Sequence, residues 1–355
     1  MSSKSNAAQK IFCLIDCDAF YVSCERLCAP ELRTRNTLVL SNNDGCVISR
    51  CDGVKAAQIK MGDPLHLIQD KIKKHNIKVF SSNYALYGLV SDRVMTLLGS
   101  FTPHIEVYSI DESFLSLEGS PTTDIIDYVQ NIRQTVRQWI GIPVCGGIGP
   151  SKVLAKLANR LAKKTKHDLK NGGVVSLLDP IEREKVLAEF PVADVWGIGG
   201  KSAKKLHSYG IYTAKELRDA DEALVQRLLT IVGRRIQLEL RGESHLMLEE
   251  IPKDREQIIC AKSFGKPLRE LPDLEEALTH YVATASGKLR DQKSVSHAVS
   301  VFVETNRFND SAQYFNSAYI EFPVPTSDIR TLTAGALRAL ESIYKKGFDY
   351  KKVGI

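Results

Sequence analysis

Three acidic residues are the side chains in this sequence best suited to chemistry on phosphate groups. Asp16 follows a run of apolar residues, and Asp111 is followed directly by Glu112 between two short predicted strands. Three like charges in one place are unfavourable unless cations neutralise them. Carboxylate oxygens suit Mg²⁺, and two such ions can activate an attacking hydroxyl and stabilise the leaving oxygen in phosphoryl transfer. These residue types therefore indicate a metal-dependent site, provided that the fold brings them together.

The predicted elements around these acids follow the order β-α-β-β-α-β, and that order occurs twice. In the N-terminal half, hydrophobic periodicity predicts strands at 11–15, 105–110, 113–117 and 144–148 and helices at 84–98 and 125–136. In the C-terminal half it predicts strands at 257–262, 297–304, 318–322 and 350–355 and helices at 274–289 and 328–344. Both halves therefore have the element order of a ferredoxin-like domain.

This order predicts where the three acids lie. In such a sheet the third strand lies between the first and second and runs antiparallel to both. The end of strand one, at Asp16, then lies beside the turn at Asp111 and Glu112. In a straight strand those two neighbours would face opposite sides, so convergence requires a tight turn. The alternative is a solvated hairpin without a metal, with Asp16 capping an element.

The positive charge of the chain is concentrated in one segment. The formal net charge is +6, and residues 151–170 contain seven Lys or Arg residues against the single acid Asp168. A localised basic region indicates a polyanionic partner such as nucleic acid. We predict a helix at 151–166 capped by Ser151, with most of its lysines on a solvated face or in loose contact with DNA. Lys156, one turn into this helix, is the candidate contact for a triphosphate.

Three further local patterns complete the predicted organisation. Asp18 is the predicted N-cap of a helix at 19–28. Asp63 is the predicted N-cap of a helix that begins at Pro64. Gly197 and Gly199, before a lysine-rich helix at 201–208, fit a helix-hairpin-helix that binds a DNA phosphate. A plain turn between helices is the alternative. Thr213 and Glu216 form a predicted capping box.

Several classes of protein do not fit the composition. Residues 1–10 contain two lysines and no apolar core, and no run approaches the length of a membrane span, so we expect neither a signal peptide nor an anchor. The eight cysteines include no CxxC pair, and we expect buried thiols rather than zinc ligands or disulfides. We expect a cytoplasmic protein.

Six motifs resemble those of the Y-family translesion DNA polymerases. Three are shared with the family in general: IDCDAFY at 15–21, YSIDESF at 108–114 and GPSKVLAK at 149–156. The other three are similar to those of UmuC-like catalytic subunits of bacterial DNA polymerase V: SNNDGCVI at 41–48, FSSNY at 80–84 and DVWGIG at 194–199. The resemblance extends over nearly the whole chain.

The resemblance implies an α+β multidomain fold, a right-hand polymerase with a ferredoxin-like palm and a ferredoxin-like little finger. It also implies small fingers and a helical thumb that carries the helix-hairpin-helix. The implied boundaries are 1–19 and 84–175 for the palm, 20–83 for the fingers, 176–243 for the thumb, 244–253 for a linker and 254–355 for the little finger.

The resemblance also assigns roles to single residues. Two Mg²⁺ ions would be bound by the catalytic carboxylates Asp16, Asp111 and Glu112, with help from the carbonyl of Cys17. Tyr21 would be the steric gate against ribonucleotides, Lys55 and Lys156 would contact the triphosphate, and Gly197, Gly199 and Lys201 would contact DNA. Many family members have a tyrosine where this chain has Asp52. We therefore expect Arg50 to supply the missing phosphate contact.

The implied activity is error-prone, template-directed DNA synthesis from dNTPs past damaged bases, in DNA damage tolerance and SOS mutagenesis. The implied partners are primer-template DNA, a processed UmuD-like dimer, a RecA filament and a sliding clamp, with no membrane and a nucleoid-associated location. No clamp-binding motif is present, and we expect the chain to be a shortened form. The alternatives are a nucleotidyl cyclase, which the basic helix and the hairpin disfavour, and a DNA-binding scaffold without chemistry, which would lack one of the three acids.

Overall fold

The computed structural model describes residues 10–119, 124–168, 172–251 and 254–355. They form two compact units. The N-terminal unit holds the described residues up to Ile251 except Leu40–Gly45, and the C-terminal unit holds Leu40–Gly45 with the described residues from 254 onward. In the described part of the chain, no helix combines the length and apolar character needed to cross a membrane.

The first 251 residues contain both strands and helices, and the last four helices follow one another without an intervening strand among the described residues. The strands are β1 (Phe12–Cys17), β2 (Thr37–Leu40), β3 (Val47–Arg50), β4 (Lys78–Phe80), β5 (Ile105–Val107), β6 (Glu112–Ser116), β7 (Val144–Gly149) and β8 (Val174–Ser176). The helices are α1 (Phe20–Cys28), α2 (Asp52–Ala56), α3 (Gln69–Lys74), α4 (Tyr84–Gly99), α5 (Ile125–Trp139), α6 (Lys152–Ala162), α7 (Pro180–Glu189), α8 (Gly200–His207), α9 (Ala214–Asp219) and α10 (Glu222–Arg241).

The main sheet of the N-terminal unit has the predicted arrangement. Its strand order is β5-β6-β1-β7-β8, so the third strand of the predicted repeat lies between the first and second. β1 is antiparallel to β6 and β7, and β5 is antiparallel to β6. β8, which was not predicted, extends the sheet in parallel with β7. A separate small sheet has the order β3-β2-β4.

A glycine in β7 brings the lysine-bearing helix α6 close to the sheet. A Cβ on Gly147 would lie 2.1 Å from the backbone nitrogen of Asn159 in α6, so only glycine allows this approach. The Asn159 side-chain amide donates to the carbonyls of Leu14 (3.1 Å) and Cys145 (2.9 Å). These contacts hold α6 against β1, the strand that carries Asp16.

The capping predictions are correct at some helix starts and wrong at others. The side chain of Ser151 caps α6 as predicted, and Thr213 with Glu216 forms the predicted capping box of α9. The side chain of Asn83 also caps α4. The prediction for Asp18 is wrong, because α1 begins after Ala19 without a side-chain cap. The prediction for Asp63 is also wrong: its carboxylate accepts from the backbone N–H of Lys60 (2.7 Å), and α3 begins only at Gln69.

The C-terminal unit has the predicted element order but a different strand order from the main sheet. Its elements are β9 (Ala261–Leu268), α11 (Leu271–Asp291), β10 (Ser296–Thr305), β11 (Phe315–Thr326), α12 (Ile329–Ile343) and β12 (Tyr350–Gly354). The sheet order is β11-β10-β12-β9, so the fourth strand lies between the first and second. The main sheet places its third strand there. The strand predicted at 257–262 begins later because β9 is a largely exposed edge strand, AKSFGKPL, without an apolar run.

Candidate active site

The three predicted carboxylates lie together at one edge of the main sheet. Asp16 in β1 is directly opposite Glu112 in β6. The backbone N–H of Cys17 donates to the carbonyl of Asp111 at 2.9 Å. The sheet therefore brings together residues that are almost 100 positions apart in sequence.

A tight turn before β6 is built around Ser109. Its hydroxyl donates to Oδ1 of Asp111 (2.7 Å) and accepts from the backbone N–H groups of Asp111 (3.3 Å) and Glu112 (3.1 Å). The backbone N–H groups of Tyr108 and Ser109 both donate to the carbonyl of Glu112. Because of this turn, β5 ends at Val107, earlier than predicted. The turn is the one that the sequence argument required for convergence.

Two lysines carried by α6 and its C-terminal end neutralise two of the carboxylates. Nζ of Lys163 lies 2.7 Å from Oδ2 of Asp16, and Nζ of Lys156 lies 2.7 Å from Oε2 of Glu112. The Lys163 side chain is exposed, as the sequence analysis predicted for most of these lysines, but its ammonium group pairs with an acid of the sheet. Lys152 is an exception, since it is buried against Glu106 at 2.6 Å. The hydrophobic pattern of α6 could not show which lysines face acids from other elements.

Burial and proximity make the Asp16–Glu112 pair electrostatically unequal. Burial raises the pKa of Asp16 to about 8, with Lys163 opposing the rise and the adjacent Glu112 adding to it. Burial also acts to raise the pKa of Glu112, but hydrogen bonds from Asp16 and Lys156 hold that pKa below its usual range. Two carboxyl groups this close do not ionise freely together. The pair therefore favours any arrangement that supplies additional positive charge.

The donor set at this edge fits a hard cation. Within the described ranges, no three His, Cys, Asp or Glu side chains are arranged so as to hold a metal ion. The carboxylate oxygens of Asp16, Asp111 and Glu112 are the kind of ligand that Mg²⁺ prefers. In this structure lysine ammonium groups contact one oxygen of Asp16 and one of Glu112. Burial keeps the pKa of the Cys17 thiol well above its ordinary value, so only its carbonyl suits such an ion.

Two aromatic residues that the sequence analysis did not single out hold Lys156. Its Nζ lies 4.3 Å from the ring centre of Tyr108 and 5.2 Å from that of Trp196. The indole N–H of Trp196 donates to the hydroxyl of Tyr108 at 3.2 Å. Both residues lie within motifs of the resemblance, which is the one signal that pointed to them. Their contact with each other depends on tertiary packing.

Tyr21 lies in the first turn of α1 and packs against an aromatic cluster. Its ring stacks on Tyr87 with centroids 4.5 Å apart and meets Tyr84 edge-on at 5.9 Å. Tyr87 is fully buried, and its hydroxyl donates to Glu25 at 2.7 Å. Tyr21 is half-buried, and burial raises the pKa of its hydroxyl. Its ring is therefore held from behind by a fixed neighbour.

The remaining predicted nucleotide contacts lie near the start of α2. Nζ of Lys55 is 2.7 Å from Oδ1 of Asp52, three residues earlier in the same helix. Arg50 ends β3, and its Nε is buried without a hydrogen-bond partner among the described residues. A buried N–H donor without a partner is costly, so the position favours an anionic ligand.

The predicted helix-hairpin-helix turn is formed at the start of α8. Gly197 has φ +89°, and a Cβ there would lie 2.6 Å from Cδ1 of Ile236. Gly199 is the N-cap of α8, and a Cβ on it would meet nothing within 4 Å. Lys201 is exposed in the first turn. The turn thus leaves an open helix N-terminus beside a basic side chain.

Protein-family models match three parts of the chain. The impB/mucB/samB family model matches residues 15–160, its C-terminal domain model matches 255–355, and the IMS family HHH motif matches 182–211. The last of these covers most of α7, the turn and all of α8.

Whole-chain relatives agree with these models. Protein ImpB of Salmonella typhimurium is 38% identical over 349 residues, which cover 97% of this chain and 82% of the relative. Protein UmuC of Salmonella typhimurium (strain LT2) is 38% identical over 347 residues, with the same two coverages. DNA polymerase IV of Treponema denticola is 25% identical over 356 residues, covering 97% and 83%.

Solved structures share the fold. A Y-family DNA polymerase chimera, Dbh-Dpo4(243-245)-Dbh, has a TM-score of 0.78 at 21% identity and covers 97% of both chains. An insertion ternary complex of Dbh DNA polymerase has a TM-score of 0.60 at 19% identity with the same coverage. Since family models match more than half of the chain and UmuC is 38% identical along nearly all of it, the chain belongs to the impB/mucB/samB family and is a UmuC-like, Y-family translesion DNA polymerase.

Proposed function

We propose that this polymerase joins a dNTP to a primer 3′-hydroxyl at the sheet edge formed by Asp16, Asp111 and Glu112. The observation that carries the proposal is the register of β1 on β6, which sets Asp16 opposite Glu112 beside the Ser109 turn. Lysines from α6 reach the same edge. Acidic and basic side chains that alternate around one edge suit a metal-bound triphosphate.

The domain assignment follows from the same resemblance. The palm would comprise residues 1–19 and 84–175, the fingers 20–83, the thumb 176–243, a linker 244–253 and the little finger 254–355. The main sheet with α4, α5 and α6 then belongs to the palm, and α7 to α10 form the thumb.

Two Mg²⁺ ions are the proposed cofactors, held by Asp16, Asp111, Glu112 and the carbonyl of Cys17. When bound, such ions activate the primer hydroxyl and neutralise charge on the triphosphate. The side chains of this protein prepare the site for them. Nζ of Lys163 contacts Asp16, and the Ser109 hydroxyl donates to the Asp111 carboxylate, each at 2.7 Å.

The nucleotide would be oriented by side chains around the metals. Lys156, held between two aromatic rings, and Lys55 would bind triphosphate oxygens. The buried, unpartnered Nε of Arg50 supports a third phosphate contact. Tyr21, braced by Tyr87, would lie against the sugar and exclude a 2′-hydroxyl.

Primer-template DNA would be bound in part by the thumb. Backbone N–H groups near Gly197 and Gly199, with Lys201, suit a DNA phosphate at the N-terminus of α8. A processed UmuD-like dimer, a RecA filament and a sliding clamp are proposed partners on the resemblance alone. The matched HHH motif disfavours the nucleotidyl cyclase alternative.

Primer extension on a template with one abasic site tests this proposal. The wild-type chain should extend the primer past the site in the presence of Mg²⁺. Asp111→Asn and Glu112→Gln should abolish extension but leave primer-template affinity within a few-fold, because they remove metal ligands and no DNA contact. Normal extension by either variant would show that the carboxylate assignment is wrong.

A further inference from the structure

Four charged side chains of alternating sign connect helix α2 to the end of β1. Asp18, just after β1, lies 2.8 Å from Nζ of Lys166. The same Nζ lies 2.7 Å from Asp52 in α2, and Asp52 lies 2.7 Å from Nζ of Lys55. We call these four residues the clasp. Outside it, His167 also reaches Asp52, with Nε2 at 2.9 Å.

The inner half of the clasp is shielded from water. The side chain of Lys166 is 10% exposed and that of Asp18 is 19% exposed, against 39% for Asp52 and 41% for Lys55. Burial acts to lower the pKa of Lys166, but its two carboxylate partners raise that pKa overall. Burial likewise opposes ionisation of Asp52, but Lys166 and Lys55 hold its pKa far below the usual range. Both Lys166 and Asp52 are therefore charged near neutral pH.

The backbone of Lys166 is anchored independently of the clasp. Arg133 in α5 is buried, and its guanidinium donates to the carbonyls of Lys166 and Asp168. Its Nε also donates to the carbonyl of Val144 in β7 at 3.0 Å. Lys166 is thus a fixed point of the main-sheet region, and α2 is the part that the clasp restrains.

Helix α2 needs this restraint. It has five residues, Asp52–Ala56, and no side-chain cap, so its own hydrogen bonds cannot stabilise it. Asp52, its first residue, accepts from Lys166 and from Lys55, one turn later. An ammonium group has three donors. Among the described residues, Asp52 is the one partner of Lys55, which leaves two donors for a ligand.

We propose that Asp52 is a positioning residue for the incoming nucleotide: held by Lys166, its carboxylate fixes α2 and orients Lys55 toward the triphosphate. The inference rests on the proposed function of Lys55. It goes further than that function because it makes Asp52 necessary for binding of the nucleotide, although Asp52 and the triphosphate are both negatively charged.

The test is a double-mutant cycle of Asp52→Asn, Lys166→Met and the pair of changes. The first measurement is the Kd of the correct dNTP on a primer-template with a dideoxy-terminated primer, which involves no chemistry. The second is kcat and KM for extension. Each single change should weaken dNTP binding at least about fivefold, with kcat changed less than about twofold. The double variant should bind no more weakly than the worse single variant.

Two further variants separate positioning from a general loss of structure. Asp52→Glu keeps the charge and should recover part of the lost affinity. Glu182→Gln removes an exposed ion pair of the same spacing, Glu182–Lys185 at 2.7 Å in α7, and should leave dNTP binding unchanged.

The possible results are distinct. Tighter dNTP binding by Asp52→Asn would show that the carboxylate competes with the triphosphate and would overturn the inference. Additive losses in the cycle, or wild-type affinity in Asp52→Asn, would overturn it too. If the wild-type chain neither binds dNTP nor extends a primer, the proposed function itself fails, which the wild-type measurement shows separately.

Discussion

The three acidic residues at the sheet edge can lie close together because each one contacts a separate lysine or hydroxyl group. Lys163 pairs with Asp16, Lys156 with Glu112, and Ser109 with Asp111. Without these partners, burial of Asp16 beside Glu112 would be strongly unfavourable. The lysines thus supply in the metal-free chain part of the charge that the proposed Mg²⁺ ions would supply.

Tyr21 gives the sharpest residue-level prediction. Tyr21→Ala should raise incorporation of ribonucleotides relative to deoxyribonucleotides by at least about tenfold, or about 1.4 kcal/mol at the transition state. The reason is that the ring, stacked on Tyr87, would leave no space for a 2′-hydroxyl if the sugar of the nucleotide lies against it, as we propose. The measurement is kcat/KM for both nucleotides opposite the same template base.

A control for Tyr21 is available on the surface of the same unit. Tyr209→Ala removes an exposed tyrosine (52% exposed) after α8 and should leave the sugar preference unchanged. If Tyr21→Ala also leaves that preference unchanged, Tyr21 is a packing residue and another group excludes the 2′-hydroxyl.

At the level of elements, the lysines of two helices have different surroundings. α6 and its C-terminal end direct Lys156 and Lys163 toward carboxylates because Gly147 lets the helix pack directly on β7. In α8, which follows the turn that contains Gly197, the side chains of Lys201, Lys204 and Lys205 are exposed. The first set pairs with carboxylates of the sheet edge, and the second is exposed to solvent.

Neutralising α8 should therefore affect DNA binding without affecting its sequence dependence. Lys201→Gln, Lys204→Gln and Lys205→Gln together should weaken primer-template binding similarly for all sequences. Each lost phosphate contact should reduce the slope of log affinity against log salt by about 0.9. Titrations at several salt concentrations measure this slope, and an unchanged slope would exclude α8 as a backbone contact.

At the level of the N-terminal unit, a buried ion pair holds the segment that the sequence analysis described as a linker. Lys152 and Glu106 pair at 2.6 Å with side chains 5% and 8% exposed. Glu106 also accepts from the backbone N–H of Glu249 (2.8 Å), and Lys152 donates to the carbonyl of Met247 (3.3 Å). The part of this segment up to Ile251 is thus attached to the N-terminal unit.

Breaking that ion pair should destabilise the whole unit. Lys152→Met leaves the Glu106 carboxylate buried without its cation and should lower the free energy of unfolding by about 3–5 kcal/mol. The double change Lys152→Met, Glu106→Leu should recover much of this loss. Urea unfolding followed by circular dichroism measures both, and Lys185→Met on the surface serves as the unaffected control. A Lys152→Met chain as stable as wild type would contradict the argument.

The amino-acid sequence was sufficient to predict the order of the main helices and strands and the convergence of Asp16 with Asp111 and Glu112. Apolar periodicity and capping patterns are local properties, so the helices α4, α5, α11 and α12 lie close to their predicted positions. The β-α-β-β-α-β order also predicted correctly that Asp16 lies beside Asp111 and Glu112, because it restricts which strands can be neighbours.

Tertiary structure alone decided the strand order of the C-terminal sheet and which lysines pair with which acids. The two halves have the same element order, yet the fourth strand of the C-terminal sheet occupies the place that the third occupies in the main sheet. No local pattern distinguishes these arrangements, since strand order depends on how helices pack across the sheet. Likewise, Lys152, Lys163 and Lys166 read as solvated residues along α6 and its end. Their partners are acids supplied by β5, β1 and α2, and such long-range electrostatic partners are fixed only when the chain has folded.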